Sequence, residues 1–450
     1  MPQRIDYLKK RHVQIYFKEI TQMRKLALVL VSGAVIGITS AVSAQEVVEL
    51  DFWGGWTGPD GAIMQGLVDQ FNEEHPNIQV TLTVQAWSPL FDSFIAAASA
   101  GDSPDIMSMH PQETAMFADL GLIYPLDDII AESEVFQQDA YVTKSWDLQF
   151  YDGQMYAYPF DLGVHGLYYN VDLFEAAGLE GAPTNAEEFL EAARLLTVDA
   201  NGNHPGDDGF DPANIVQYAI NMHTNHHAFY QWYSLYNQLG GQLISDDLNS
   251  CVMDIDKATQ AWQWFQDMVY VNYAAPQGQT DYARDFITGR TAMLVDGPWQ
   301  IPAMVAAEAD GFNWATASYP TIFDESAVWG SGHDFALPTM ANPDHQDEAI
   351  YFIEWLGANS FDWLESGQLP IRHDIIESEE FAELPGRQSF VDMLDYQVLL
   401  PNVPQFSEIF GSNSPTPMMV MAQRIILENA DIRTEVENAC NTITGILSMP

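Results

Sequence analysis

Tryptophan and glycine recur together at three places far apart in the chain: residues 52–61 (Phe-Trp-Gly-Gly-Trp-Thr-Gly-Pro-Asp-Gly), 296–299 (Asp-Gly-Pro-Trp) and 329–333 (Trp-Gly-Ser-Gly-His). Each cluster ends an apolar run, where a strand should hand over to a turn or helix. The chemistry these residues offer is recognition: indole faces stack on flat apolar surfaces, and glycines let the backbone approach a ligand closely. Trp299 and Trp329 are expected to be stacking platforms, with Gly297, Gly330 and His333 beside them. Trp56 with Thr57 is balanced between cleft and packing, and Trp53 continues the inward alternation of its strand.

Bond-making chemistry finds less support. His223 and His227 are four apart, a spacing zinc can use on a helix, but no glutamate stands between them as a metalloprotease requires. The stretch reads as polar cleft lining with Trp232 as a third stacking surface, and no metal or cofactor is expected. Asp199, Asn201 and Asn203 imitate the start of a calcium loop, but His204 takes the glycine position and Phe210 that of the final glutamate. Acid pairs such as Asp127-Asp128 are too common in an acidic chain to mark a catalytic dyad, and no nucleophile elbow is present.

The elements that must position these groups begin as an alternation of strand and helix. Strands are predicted at 47–53, 78–84 and 105–109, and helices at 59–75 and 89–100. In the first helix Ile63, Met64, Leu67, Val68 and Phe71 share one face. This order calls for a mainly parallel sheet covered by helices, and ligands in such folds bind beyond the carboxyl ends of the strands, where Trp56 and His110 fall. A second α/β region follows, with a strand at 167–170, a capping box at 184–187 opening a helix through 196, and later helices near 229–239, 256–270, 343–356 and 432–447.

Residues 23–44 read as an export signal: Met23-Arg24-Lys25, an apolar stretch from 26 to 38, and Val42-Ser43-Ala44 before a cleavage site. Residues 1–22 suit neither a signal nor a fold and suggest a start assigned too early; no cysteine follows the cleavage site, so no lipid anchor is expected. From residue 45 onward nine basic residues face 61 acidic ones, a net charge of −52. Such a surface disfavours nucleic acid, anionic membranes and anionic ligands, and suits a saline habitat where salt screens self-repulsion. Cys251 and Cys440 are free to pair after export, although spacing cannot decide whether they do.

Several motifs occur in a telling order: Phe52-Trp53 with Thr57-Gly58-Pro59-Asp60-Gly61; Ser103-Pro104-Asp105-Ile106; Tyr158-Pro159 with Leu167-Tyr168-Tyr169-Asn170 and Asp172-Leu173-Phe174; Ala292-Met293 with Gly297-Pro298-Trp299; and Leu369-Pro370-Ile371-Arg372. In this the chain resembles the extracellular solute-binding proteins of sugar ABC importers, a group that includes maltose- and glycerol-phosphate-binding proteins. The resemblance implies a type II periplasmic-binding-protein fold of two α/β lobes, about 45–157 with 298–342 and 158–297 with 343–450, closing on a hinge. It implies a periplasmic monomer that hands a carbohydrate to the ABC permease subunits. A pyranose has apolar faces and a hydroxyl rim, which suits indoles beside carboxylates, amides and imidazoles. His110, Gln112 and Glu113 are expected at the first lobe's contact point, Asp161 and His165 on the crossover, and Arg372 either as a hydroxyl donor or as the partner of a local carboxylate. The alternatives are a receptor for a phosphorylated polyol, held at the helix start by Thr57–Gly61 amides, and a secreted glycosidase or lyase.

Overall fold

The computed structural model describes residues 47–411 and 415–449. The export signal and the extension before it lie outside the described residues. The predicted opening appears almost residue for residue: strands Val48–Gly54, Ile78–Val84 and Ile106–Met109, with helices Pro59–Glu74 and Trp87–Ala100 between them. Val48–Gly54 pairs in parallel with both other strands, and the helix Pro59–Glu74 buries Met64, Leu67, Val68 and Phe71 against the sheet. Asp105 orients backbone, its Oδ2 accepting from Asp51 N at 2.8 Å.

Two five-stranded sheets build two lobes. The first is completed by Asp334–Ala336 and Tyr158–Pro159, both running antiparallel to their neighbours. The second is ordered Trp314–Ala317, Gly166–Asn170, Thr291–Asp296, Ile215–Ile220, Val198–Asp199. Only its pairing of Ile215–Ile220 with Thr291–Asp296 is parallel, and the other three are antiparallel. The expected mainly parallel character therefore holds for the three opening strands and gives way to a mixed pattern elsewhere. The reason is the route of the chain: strands that return after crossing between sheets run back against those already present.

A third sheet of three short strands, Gly163–Val164, Val328–Ser331 and Gln397–Val398, carries the crossings. Tyr158–Pro159 of the first sheet leads through Gly163–Val164 into Gly166–Asn170 of the second, and Trp314–Ala317 of the second leads through Val328–Ser331 into Asp334–Ala336 of the first.

Local signals position the later helices. Asn185 caps Ala186–Leu196 by accepting from Glu188 N at 3.0 Å, one residue later than the expected cap, and Glu188 reaches back past it to Thr184 N at 2.9 Å instead of closing a capping box. Asn225 caps His226–Gln238 through His227 N. The loop after Asp199 is organised by that carboxylate, which accepts from the Asn201, Asn203 and Asp211 amides. Cys251 and Cys440 form a disulfide with Cα atoms 5.4 Å apart.

Candidate functional site

A cleft of about 890 Å³ opens between elements of both sheets. Its first wall grows from the carboxyl ends of the three parallel strands. Trp56 and Thr57 follow Val48–Gly54, Trp87 follows Ile78–Val84, and His110, Gln112 and Glu113 follow Ile106–Met109. A Cβ at Gly55 would stand 1.9 Å from the Trp87 ring, so only glycine lets that indole lie against the turn.

Trp87 is the centre of this wall. His110 lies on it with ring centroids 4.3 Å apart, His333 stacks at 5.2 Å, and Trp56 meets it edge-on at 5.7 Å. Both imidazoles are tied to carboxylates. His333 Nδ1 is 2.8 Å from Asp161 Oδ2, and Asp161 also accepts from His333 N and from Trp363 Nε1 at 2.6 Å. His110 Nδ1 lies 3.0 Å from Glu113 Oε2, which accepts the His110 backbone N–H at the same distance. A ring nitrogen facing a carboxylate carries the proton, so in each neutral ring Nε2 is the bare acceptor. Gln112 Oε1 accepts from Ser331 Oγ at 2.6 Å.

The helix start at Pro59 offers little to an anion. The Gly61 amide is already satisfied by Gly58 O at 3.1 Å and Asp60 Oδ1 at 3.0 Å. Burial pushes the Asp60 carboxyl above its usual range, opposed by His333 and the Gly61 amide.

The second wall is mainly aromatic, with Glu408 at its edge of the lining. Trp329, on the crossing strand, stacks on Tyr230 with centroids 4.0 Å apart and planes 15° from parallel. Trp299 is half-buried beside His227 at 5.7 Å, and a Cβ on Gly297 would come within 2.0 Å of its ring. Behind these indoles His165 Nε2 meets His227 Nδ1 at 2.9 Å, and His223 Nε2 donates to Val295 O at 3.0 Å. Burial lowers the pKa of His165, His223, His226 and His227, most strongly at His165 and His227, so the cluster is neutral. Donor atoms of His165, His227 and Asp296 lie within 4.8 Å of one another, an arrangement able to hold a metal ion.

Of the residues singled out from sequence, Trp56, Thr57, His110, Gln112, Glu113, Trp299, Trp329 and His333 line the cleft together. Asp161 and His165 stand one layer behind, holding His333 and His227 respectively. Gly297 and Gly330 make room for packing, the latter against Gln397 and Val164. Trp232 and Arg372 are corrections. Trp232 is fully buried, stacked between Tyr236 and Trp262 with Nε1 donating to Ala258 O, and does not reach the cleft. Arg372 is the partner of a local carboxylate, with two hydrogen bonds to Asp374 and one to Gly357 O. Trp87, Tyr230, Gln300 and Gln368 line the cleft without having been singled out.

The cleft's setting agrees with known proteins. Residues 55–360 match the bacterial extracellular solute-binding protein family. The maltotriose-binding protein of Pyrococcus abyssi is 21% identical over 357 residues, 78% of this chain and 72% of that one. A solute-binding protein of Thermotoga lettingae bound to α-D-tagatose superposes with a TM-score of 0.76 at 22% identity, covering 89% of this chain and all of that one. UgpB of Mycobacterium tuberculosis with glycerophosphocholine superposes with a TM-score of 0.74 at 20% identity, covering 89% and 98%. Among the described residues no helix is long and apolar enough to cross a membrane. With a family match spanning both walls of the cleft, the chain belongs to the bacterial extracellular solute-binding proteins.

Proposed function

We propose that this protein is the receptor of an ABC importer, capturing a neutral sugar or short oligosaccharide in the cleft and presenting it to the membrane permease. The observation that carries this reading is the lining itself. Trp56, Trp87, Tyr230, Trp299 and Trp329 supply flat apolar surface, the carboxylates and the bare Nε2 atoms of His110 and His333 supply hydroxyl partners, and among the described residues no lysine or arginine lines the cleft. A volume near 890 Å³ is within the range of small-molecule sites, roughly 300–1,000 Å³. The maltotriose and tagatose ligands of two relatives support the same class.

The lobes proposed are 45–157 with 298–342 and 158–297 with 343–450, except that the pairing of Trp314–Ala317 with Gly166–Asn170 supports moving that strand to the second lobe. Ligand would shift the population toward a closed form that the permease subunits read. The protein would act as a periplasmic monomer without catalysis. Incubation with oligosaccharides should therefore release no new reducing ends.

The glycerophosphocholine ligand of one structural relative keeps phosphorylated polyols as a second reading. A thermal-shift panel of mono-, di- and trisaccharides, polyols and glycerol phosphates at low and high salt separates the two. Ligand at 100 times its Kd should stabilise by about 2.7 kcal/mol. A neutral sugar that protects regardless of salt is the expected result, and protection by phosphorylated polyols alone would overturn it.

A further inference from the structure

Three chain segments with no sequence proximity bring nitrogen and oxygen donors together behind the aromatic wall. His165 immediately precedes Gly166–Asn170, Asp296 ends Thr291–Asp296, and His227 lies in the first turn of His226–Gln238. His165 Nε2 and His227 Nδ1 are 2.9 Å apart, and a donor atom of Asp296 lies within 4.8 Å of both rings' donors. Two neutral imidazoles facing each other share one proton between those two nitrogens, so one lone pair is committed and the remaining nitrogens need other partners. His165 lacks one: its Nδ1 is buried without any hydrogen bond, as is Nδ1 of the neighbouring His223. His223 Nε2 donates to Val295 O, so its Nδ1 is a bare lone pair, and the same Nε2 lies 4.0 Å from Asp296 Oδ2. Asp296 is oriented by Gly297 N at 2.8 Å and Gln300 Nε2 at 3.0 Å, the kind of outer support that metal-binding carboxylates have.

We propose that His165 Nε2, His227 Nδ1 and one oxygen of Asp296 bind a divalent first-row transition ion, Zn²⁺ by choice, with an open position toward the cleft. Two imidazoles and a carboxylate are a borderline donor set that suits zinc, and bonds near 2.0–2.1 Å would set the donors about 3.3 Å apart. The 2.9 Å pair opens slightly and Asp296 moves inward. The nearby helix N-terminus disfavours a cation, which makes the Asp296 charge necessary to the site. His227 lines the cleft, so the open position faces the place where ligand hydroxyls would lie. Binding needs both facing nitrogens bare, so the shared proton moves to the far nitrogen of whichever ring carries it.

This inference does not rest on the sugar reading, and its test contains no sugar. Chelator-stripped full-length protein, in high salt to screen its acidic surface, would be titrated with zinc sulfate by calorimetry and with Co²⁺ followed by visible absorption. One saturable equivalent of Zn²⁺ and a tetrahedral Co²⁺ spectrum are expected. His165→Gln, His227→Gln and Asp296→Asn should each weaken Zn²⁺ binding by about 100-fold, given that outer-sphere changes alone cost 10–100-fold, while His110→Gln on the opposite wall leaves it unchanged. No saturable equivalent in the native chain, an octahedral Co²⁺ spectrum, or full affinity retained by a folded His165→Gln, His227→Gln double variant would each overturn the site.

Discussion

Histidines stand on both walls of the cleft, in opposite company. On the first wall each ring is fixed by a carboxylate, His333 by Asp161 and His110 by Glu113, and both lie against Trp87. On the second wall His165 and His227 face each other, and burial holds them neutral. One residue type thus does two jobs. A carboxylate fixes the tautomer and presents a defined acceptor, whereas a neutral imidazole pair brings no charge of its own and leaves lone pairs uncommitted. The first wall is suited to reading hydroxyl positions, and the second to stacking.

If the walls divide the work this way, removing stacking surface from the second should have the largest effect. Trp299→Ala is expected to weaken binding of the captured sugar by about 2–4 kcal/mol, the range of a buried aromatic anchor, as measured by titration calorimetry. Trp87→Ala sharpens the contrast, because Trp87 props two imidazoles besides offering its own face. A loss in Trp87→Ala equal to that in Trp299→Ala, with the His110 and His333 tautomers unchanged by imidazole ¹⁵N NMR, would show that both walls stack alike and break the division.

The anchors come next. Asp161→Asn and Glu113→Gln each remove a charged acceptor from an imidazole, worth about 1.5 kcal/mol or roughly tenfold in affinity. Asp161 lies behind His333 and acts through it, so its variant should move the His333 tautomer and the affinity together. Glu113 also lines the cleft. A larger loss in Glu113→Gln than in Asp161→Asn is therefore expected, and an equal loss would mean that Glu113 too works only through its histidine.

Much of this arrangement was legible in the residues. Periodicity and strand-to-helix order placed the opening elements and, with them, Trp56 and His110 at the strand ends. Trp87 obeyed the same rule, three residues past a strand and two before Pro89, and was equally readable. Trp232 was misplaced for a geometric reason. It lies two residues beyond Tyr230, about 200° around the helix, so when Tyr230 faces the cleft Trp232 faces the core, and a helix buried on both sides gives no periodicity to choose between them. The pairings of Asp161 with His333 and of His165 with His227 span 172 and 62 residues, and no local pattern encodes contacts made by crossing strands. The antiparallel returns were hidden for the same cause.

Asp334 tests whether the imidazole partner is what lets a carboxylate remain charged behind the first wall. It follows His333 on the returning strand, is fully buried, and neither of its oxygens has a hydrogen-bond partner, unlike those of Asp161. Burial pushes its pKa well above the ordinary 3.8, with Glu113 and Asp161 adding repulsion. A carboxyl whose folded value is raised favours folding below the unfolded value near 4, and that contribution is lost as pH rises through the folded value. Asp334→Asn removes this dependence. The variant and the native protein should therefore melt alike near pH 4, and the variant should gain stability as pH rises. The gain should grow by about 1.4 kcal/mol for each pH unit over which Asp334 stays protonated in the folded chain while its unfolded counterpart is ionised, and level off once the folded carboxyl ionises. Sugar affinity should not change. A stability difference that is constant from pH 4 to 8 would mean that Asp334 is charged throughout, and that the first wall tolerates a buried carboxylate without an imidazole to hold it.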